Sequence, residues 1–306
     1  MFQRQTILIT GGSGLLALNW FFTKRTYFTI YLGLNEKKIK PPGANVVQLD
    51  YSSEERLINQ VKLISPVAII HTAGLTSVEE CEFKPELAYH VNVNLSKIIA
   101  KVTQKLCVPM VHISTDHLYS GDASLYSEKE ILNPINFYGK TKALAEEIVL
   151  EYNPNALIVR TNFYGFGTSY RKSFSDHIID SLRKRSQLYL FDDVFFTPIL
   201  AEILIHTVHN LLEKNAKGIY NIVSDDRLSK YDFGVLVAEE FSLDKGLIQR
   251  CTFQSRKDLV LRPLDMSLSN FKVCELLGRN LGRVKDHLAV LRQQENKGEL
   301  IEMRVL

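Results

Sequence analysis

Thr6-Ile7-Leu8-Ile9-Thr10-Gly11-Gly12-Ser13-Gly14-Leu15-Leu16-Ala17 opens the chain with an apolar, β-branched run, a glycine-rich turn and the start of a helical pattern. A strand that feeds a helix through such a turn is the first unit of a βαβ array. Small residues serve three needs there: a tight turn, close approach of the backbone to a pyrophosphate, and close packing of helix on strand. Gly11 and Gly14 suit the first two, and Ala17 stands where a third glycine often sits. The helix that follows would turn free N–H groups and a partial positive charge toward phosphate. With Ser13, Leu15 and Leu16, these glycines form a candidate dinucleotide cradle. A glycine cluster alone is also an ordinary structural turn; its position after the first strand favours the dinucleotide reading.

Outward from this turn, strand-like runs recur at 28–32, 46–50, 67–70, 110–114 and 156–160. Helix-period segments lie between them, at 15–23, 54–64, 85–106 and 138–152, with Pro85 suited to a first helical turn. Alternation of this kind predicts parallel strands joined by right-handed crossovers, an α/β, Rossmann-type doubly wound sheet. Beyond Thr161 the pattern is less regular, with helical stretches at 173–185, 202–212 and 231–241, a strand at 218–222, and an amphipathic end at 286–306. The expected division is a dinucleotide-binding domain over 1–165 plus about 200–223. A smaller substrate-binding part would cover about 166–199 and 224–306.

The 306 residues allow one large domain or two intimate ones. With 45% hydrophobic and 23% charged residues, the chain has enough apolar side chain to fold. Lys and Arg total 37 against 34 acids, a formal charge of +3, which is too balanced for nucleic-acid binding by field alone. No run approaches the ~18–20 apolar residues of a membrane span. Met1-Phe2-Gln3-Arg4-Gln5 lacks a signal-peptide pattern, and Cys81, Cys107, Cys251 and Cys274 form no CxxC pair, so a reducing cytoplasm is expected. His206 and His209 have no third ligand beside them, and no metal site is expected.

Two further features bear on chemistry. The second strand runs out into Gly33-Leu34-Asn35-Glu36-Lys37-Lys38, with no acid directly after it and two lysines close by. An acid there would accept from a ribose 2′-hydroxyl and select NAD, whereas cations suit a 2′-phosphate, so NADP is favoured with NAD the alternative. Tyr138 and Lys142 stand at i and i+4 on one helix face. A nearby ammonium is expected to lower the phenol's pKa and fit it for proton transfer. The helix follows a strand ending in Ser114-Thr115-Asp116, whose hydroxyl could bond the same substrate oxygen.

The sequence resembles the extended branch of the short-chain dehydrogenase/reductase superfamily, and within it the dTDP-4-dehydrorhamnose reductase-like group. The resemblance rests on the TGGSGLLA turn, His71-Thr72-Ala73-Gly74, Val91-Asn92, the run 113–121 from Ile113 to Gly121, the run 134–142 that ends in Tyr138-Gly139-Lys140-Thr141-Lys142, Val159-Arg160-Thr161 and Arg262-Pro263. It implies that Thr115, Tyr138 and Lys142 are catalytic, with Asp116 and Arg262 toward the substrate. It also implies that Asn35, Lys37, Asp50, Tyr51, Thr72, Ala73, Gly74 and Asn92 join the turn, Tyr138 and Lys142 in holding the cofactor. The implied reaction is NAD(P)H-dependent reduction of the 4-keto group of a nucleotide-linked 6-deoxy sugar for deoxysugar or surface-polysaccharide synthesis. Epimerases and dehydratases of the superfamily, and regulatory subunits with this fold, are the alternatives. His117 after Asp116 argues mildly against a dehydratase, which typically carries an acid pair there. Dimers are common in the superfamily, so a homodimer is an expectation from the resemblance alone. Phe195-Phe196-Thr197-Pro198 departs from the family pattern. Tyr164 and Tyr170 are read equally well as substrate contacts or loop aromatics.

Overall fold

The computed structural model describes residues 4–35 and 37–306; Glu36, one of the residues weighed for cofactor choice, lies outside them. Six strands follow the expected alternation: β1 (Thr6–Thr10), β2 (Thr29–Leu34), β3 (Asn45–Gln48), β4 (Ala68–His71), β5 (Met110–Ile113) and β6 (Leu157–Arg160). With Gly218–Asn221 at one edge they form a seven-stranded sheet in the order Gly218–Asn221, β6, β5, β4, β1, β2, β3. Every pairing in it is parallel. The chain winds outward from β1 to β3, then returns to begin at β4 on the other side of β1. That reversal opens a crevice beyond the carboxyl ends of β1 and β4, where ligands of open α/β sheets bind.

Period-two alternation sends side chains to both faces of the sheet. Ile7, Ile9, Ala68, Ile70, Val111, Leu157 and Val159 face one core, and Leu8, Ile69, Met110 and Ile158 face the other. The first core lies under the Leu15–Lys24 and Ala201–Glu213 helices; the second under Glu54–Ile64 and Leu95–Leu106. Both faces are covered, which explains why β4 is buried at all four positions.

The less regular half is built on two- and four-residue strand pairs. Phe163–Tyr164 runs parallel to Ile199–Leu200, Leu188–Phe191 parallel to Ile248–Cys251, and Phe195–Phe196 antiparallel to Leu228–Ser229. The core that holds Ile7 and Trp20 continues into this half through Phe233, Val284 and Leu288.

Several element boundaries differ from the sequence reading. β2 continues two residues beyond Leu32, to Leu34. A short helix, Val78–Phe83, precedes the expected long one, capped by the Ser77 hydroxyl accepting from Glu80 N. The long helix is three pieces, Pro85–Tyr89, a π-helical turn His90–Asn94, and Leu95–Leu106. The carboxyl end forms two helices, Val284–Glu295 and Gly298–Arg304. Among the described residues no helix is long and apolar enough to cross a membrane.

Candidate active site

A cleft of about 460 Å³ opens at the carboxyl edge of the sheet. Gly11, Ser13, Gly14, Leu15 and Leu16 line it from the first turn, Thr72, Ala73 and Gly74 from the end of β4, and Asn35 and Tyr51 from the ends of β2 and β3. Gly11 takes φ +68°, and a Cβ there would stand 2.7 Å from the Ala73 backbone. The turn and the loop after β4 thus touch through a position only glycine fills without strain. The Thr72 hydroxyl ties the same seam, donating to Thr10 O at 2.7 Å. The Leu15–Lys24 helix carries no acid in its first turn, so its amino terminus faces the cleft without a competing negative charge. This side-chain-poor, N–H-rich floor fits the pyrophosphate of a dinucleotide.

Thr115, Asp116, Tyr138 and Lys142 line the other end of the cleft. The helix carrying the last two, Phe137–Tyr152, begins at Asn136, whose side chain accepts from Gly139 N at 2.8 Å. A Cβ on Gly139 would collide with the His117 carbonyl. That close approach sets the helix directly against the segment after β5 and brings Tyr138 beside Thr115. Asp116 is fully buried, accepts from Asn162 Nδ2 at 2.6 Å, and is 3.2 Å from the Thr115 hydroxyl that donates to it.

The Tyr138 phenol departs from the sequence expectation. Burial raises its pKa above the ordinary value, with Asp116 adding to the rise and a hydrogen bond with Thr115 opposing it. The Lys142 ammonium does not offset this, because it is turned toward β5, donating to Ile113 O at 2.7 Å with His112 Nε2 3.3 Å away. Burial lowers Lys142 to about 8, and Glu146 works against that shift. The phenol therefore holds its proton throughout the neutral range. The His117 ring stands edge-on to Tyr138, centroids 5.4 Å apart, and burial favours its neutral form.

Other expected site residues sit around the cleft without lining it. Asn92 is fully buried in the π-helical turn. Its Oδ1 accepts from Leu75 N at 2.8 Å, and its Nδ2 donates to Leu75 O and to Thr141 Oγ1. It fixes the loop after β4 against the tyrosine helix. Asp50 accepts from Ser52 N, Ser52 Oγ and Arg56 Nη1, bonds that lower its pKa and cap the turn after β3. Lys37 is exposed and lies over the Tyr170 ring. Arg262 forms an ion pair with Glu79.

The other aromatics and histidines also find places. Tyr170 donates to Ser13 O at 3.0 Å, on the glycine-rich side, whereas Tyr164 is buried against Phe233. Phe196 packs on Phe174 and Phe233 in the core. His209 accepts from Trp20 Nε1 at 3.0 Å, and His206 Nδ1 is 3.0 Å from Lys24 Nζ.

Sequence reasoning missed Arg171 and Lys172, which line the cleft, with Arg171 donating to Thr76 Oγ1 at 3.0 Å. It also missed Lys230. That amine lies over the Phe196 ring; burial lowers it to about 7, Asp116 opposes the shift and Arg262 adds to it. Its position after the capping Ser229, at the start of the Lys230–Glu240 helix, was the one local signal.

The model of the RmlD substrate binding domain matches residues 5–296. The chain is 28% identical over 287 residues to the probable low-salt glycan biosynthesis reductase Agl14 of Haloferax volcanii, covering 92% of this chain and 96% of that one. It is 28% identical over 252 residues to methionine adenosyltransferase 2 subunit beta of Xenopus laevis, 80% of this chain and 75% of the relative. The crystal structure of a hypothetical dTDP-4-dehydrorhamnose reductase from Sulfolobus tokodaii aligns with a TM-score of 0.79 at 28% identity, covering 91% of this chain and 97% of that one. From its parallel sheet, its switch-point cleft and this match, the chain belongs to the RmlD substrate binding domain family.

Proposed function

We propose that this protein reduces the 4-keto group of a nucleotide-linked 6-deoxy sugar, using a reduced nicotinamide dinucleotide. The observation that carries the reading is the buried Tyr138 beside Thr115 and Asp116, its pKa raised by burial, at the far end of a cleft that begins on a glycine-rich helix start. A reductase needs an acid at the carbonyl oxygen, and a phenol held in its neutral form is one. Family membership and the reductase names among the relatives support the same reading.

In this account the first turn and the loop after β4 bind the dinucleotide. The bound cofactor supplies the hydride that the sugar carbonyl carbon receives. Thr115, whose hydroxyl proton rests on Asp116, turns it to the carbonyl oxygen when the sugar binds, where negative charge grows. Tyr138 delivers its proton to that oxygen. Lys142, an ammonium turned toward β5 at the same end of the cleft, holds the cofactor beside the substrate. Asp116 orients Thr115 and Asn162. Lys230 and Arg262, both interacting with Asp116 or its surroundings, supply positive charge for the anionic nucleotide portion. Lys37, Arg171 and Lys172 near the glycine-rich end favour NADP over NAD. A cytoplasmic location and a homodimer belong to the same proposal.

A second reading has one observation behind it, the match to a methionine adenosyltransferase subunit beta, named as a subunit of another enzyme. A turnover panel separates the two. The protein is mixed with dTDP-, GDP-, UDP- and CDP-linked 4-keto-6-deoxy sugars, with NADPH or NADH, and reduced-nicotinamide absorbance is followed. Rapid loss with one pair supports the reductase and names nucleotide and cofactor; tight cofactor binding without loss in any pair favours the subunit reading.

A further inference from the structure

Beneath the active site lie two buried histidines that the mechanism above does not use. His71, at the end of β4, and His112, on β5, stack with ring centroids 5.5 Å apart and planes 26° from parallel. Their polar surroundings differ. Ser96 Oγ donates its one proton to Asn92 O at 2.7 Å, so toward His71 Nε2, 3.0 Å away, it can only accept. His71 therefore carries its proton on Nε2, and Nδ1 accepts from the Thr10 hydroxyl at 2.7 Å. Both nitrogens are satisfied, and the ring ties β1, β4 and the helix after the π-helical turn together.

His112 has no such closure. It is fully buried, and its Nδ1 has no hydrogen-bond partner among the described residues. Its one hydrogen-bond partner among the described residues is Lys142, 3.3 Å from Nε2. An apolar ring would fill the same space without burying an unpaired nitrogen. The imidazole thus has one evident use, to accept from the lysine. We propose that His112 is the positioning residue of Lys142: its neutral Nε2 and the Ile113 carbonyl together hold the ammonium under the tyrosine side of the cleft. This inference rests on the proposed role of Lys142.

Burial, Lys142 and His71 all disfavour a charged His112, so it stays an acceptor rather than becoming a competing cation. The other groups facing the lysine are consistent with that arrangement. Glu146, one turn on, favours the ammonium, and its carboxylate is held by Arg160 of β6 and Ser114. Tyr138, one turn before, is neutral. Removing the acceptor at His112 leaves the ammonium with one fewer bond, so Lys142 gives up its proton at lower pH.

Two measurements test this. In protein labelled with 15N-histidine, the eight imidazoles are observed without cofactor, and His112 is assigned from the signal lost in His112→Gln. The expected signal is a neutral ring, proton on Nδ1, with a hydrogen-bonded Nε2 that moves in Lys142→Met. The second is the pH profile of turnover for His112→Leu and His112→Gln. Leucine cannot accept, and the alkaline limb should fall by about one to two pH units, the worth of a hydrogen bond to a charged group. Glutamine can accept and should restore most of the profile. A His112 signal unmoved by Lys142→Met, or a His112→Leu profile matching wild type, overturns the inference. If the protein shows no reductase turnover at all, the imidazole spectra still decide the contact, so the two readings fail separately.

Discussion

Glu146→Ala is the substitution whose cost the structure specifies most fully. Glu146 and Arg160 are each 2% exposed and share a two-pronged ion pair, Arg160 Nη2 to Oε2 at 2.7 Å and Nε to Oε1 at 3.0 Å. Ser114 Oγ also donates to Oε1, at 2.5 Å, and Arg160 Nη1 donates to the Tyr119 hydroxyl at 2.7 Å. Alanine at 146 leaves a guanidinium buried with the tyrosine oxygen as its remaining partner in this group. Breaking a buried pair in this way costs about 3–5 kcal/mol, more than the pair contributes over an apolar replacement. With a urea slope near ~3 kcal/mol per molar, the midpoint should fall by roughly 1–1.7 M. Trp20, the chain's one tryptophan and fully buried, reports the transition by fluorescence. The double variant Glu146→Leu/Arg160→Met removes both charges and should recover most of the loss, with a coupling of ~2 kcal/mol or more. A midpoint shift under ~0.3 M for Glu146→Ala would refute the reasoning, because the pair would then behave like an exposed one.

Three further outcomes follow from the same geometry. Lys142, lowered to about 8, should set an alkaline limb on turnover there, since its ammonium is lost as pH rises. Between about 8 and its ordinary 10.5 the unfolded chain binds more protons at this site, so its contribution to stability rises with pH while activity falls, as titration of both should record. Gly11→Ala must place a Cβ against the Ala73 backbone at φ +68°. The left-handed conformation costs about 1–2 kcal/mol and the overpacking about 1–3 more, so both the melting temperature and dinucleotide affinity should drop. Lys230, lowered to about 7, should make the KM for an anionic sugar nucleotide rise as pH passes 7, and Lys230→Met should abolish that dependence in steady-state kinetics.

The sheet was legible because β1 is a β-branched run that ends in glycines and β4 starts in the apolar run Ala68-Ile69-Ile70, and helix boundaries such as 54–64 carry capping chemistry in the sequence itself. The turn that floors the cleft was legible for the same local reason: Gly11, Ser13 and Gly14 lie within four residues of one another in the chain. What sequence reading lost was set by long-range packing. The π-helical turn at 90–94 brings Asn92 to the Leu75 backbone, a contact 17 residues distant that no periodicity encodes. Lys230 comes to lie over the Phe196 ring because Leu228–Ser229 pairs with Phe195–Phe196, two short strands without an alternating pattern of their own. The expected lowering of Tyr138 followed from an i, i+4 spacing that ignores where the ammonium points. In the fold, Ile113 O and His112 claim it, and burial decides the direction of the shift.

Tyr138 as the proton donor is tested by turnover of Tyr138→Phe with the active sugar-nucleotide and cofactor pair, beside a titration of its cofactor affinity. Phenylalanine keeps the ring and removes the proton donor. A fall in kcat of about 10²–10⁴-fold is expected, with dinucleotide affinity nearly unchanged. Turnover at the wild-type rate would contradict it, because the proton would then be coming from another group.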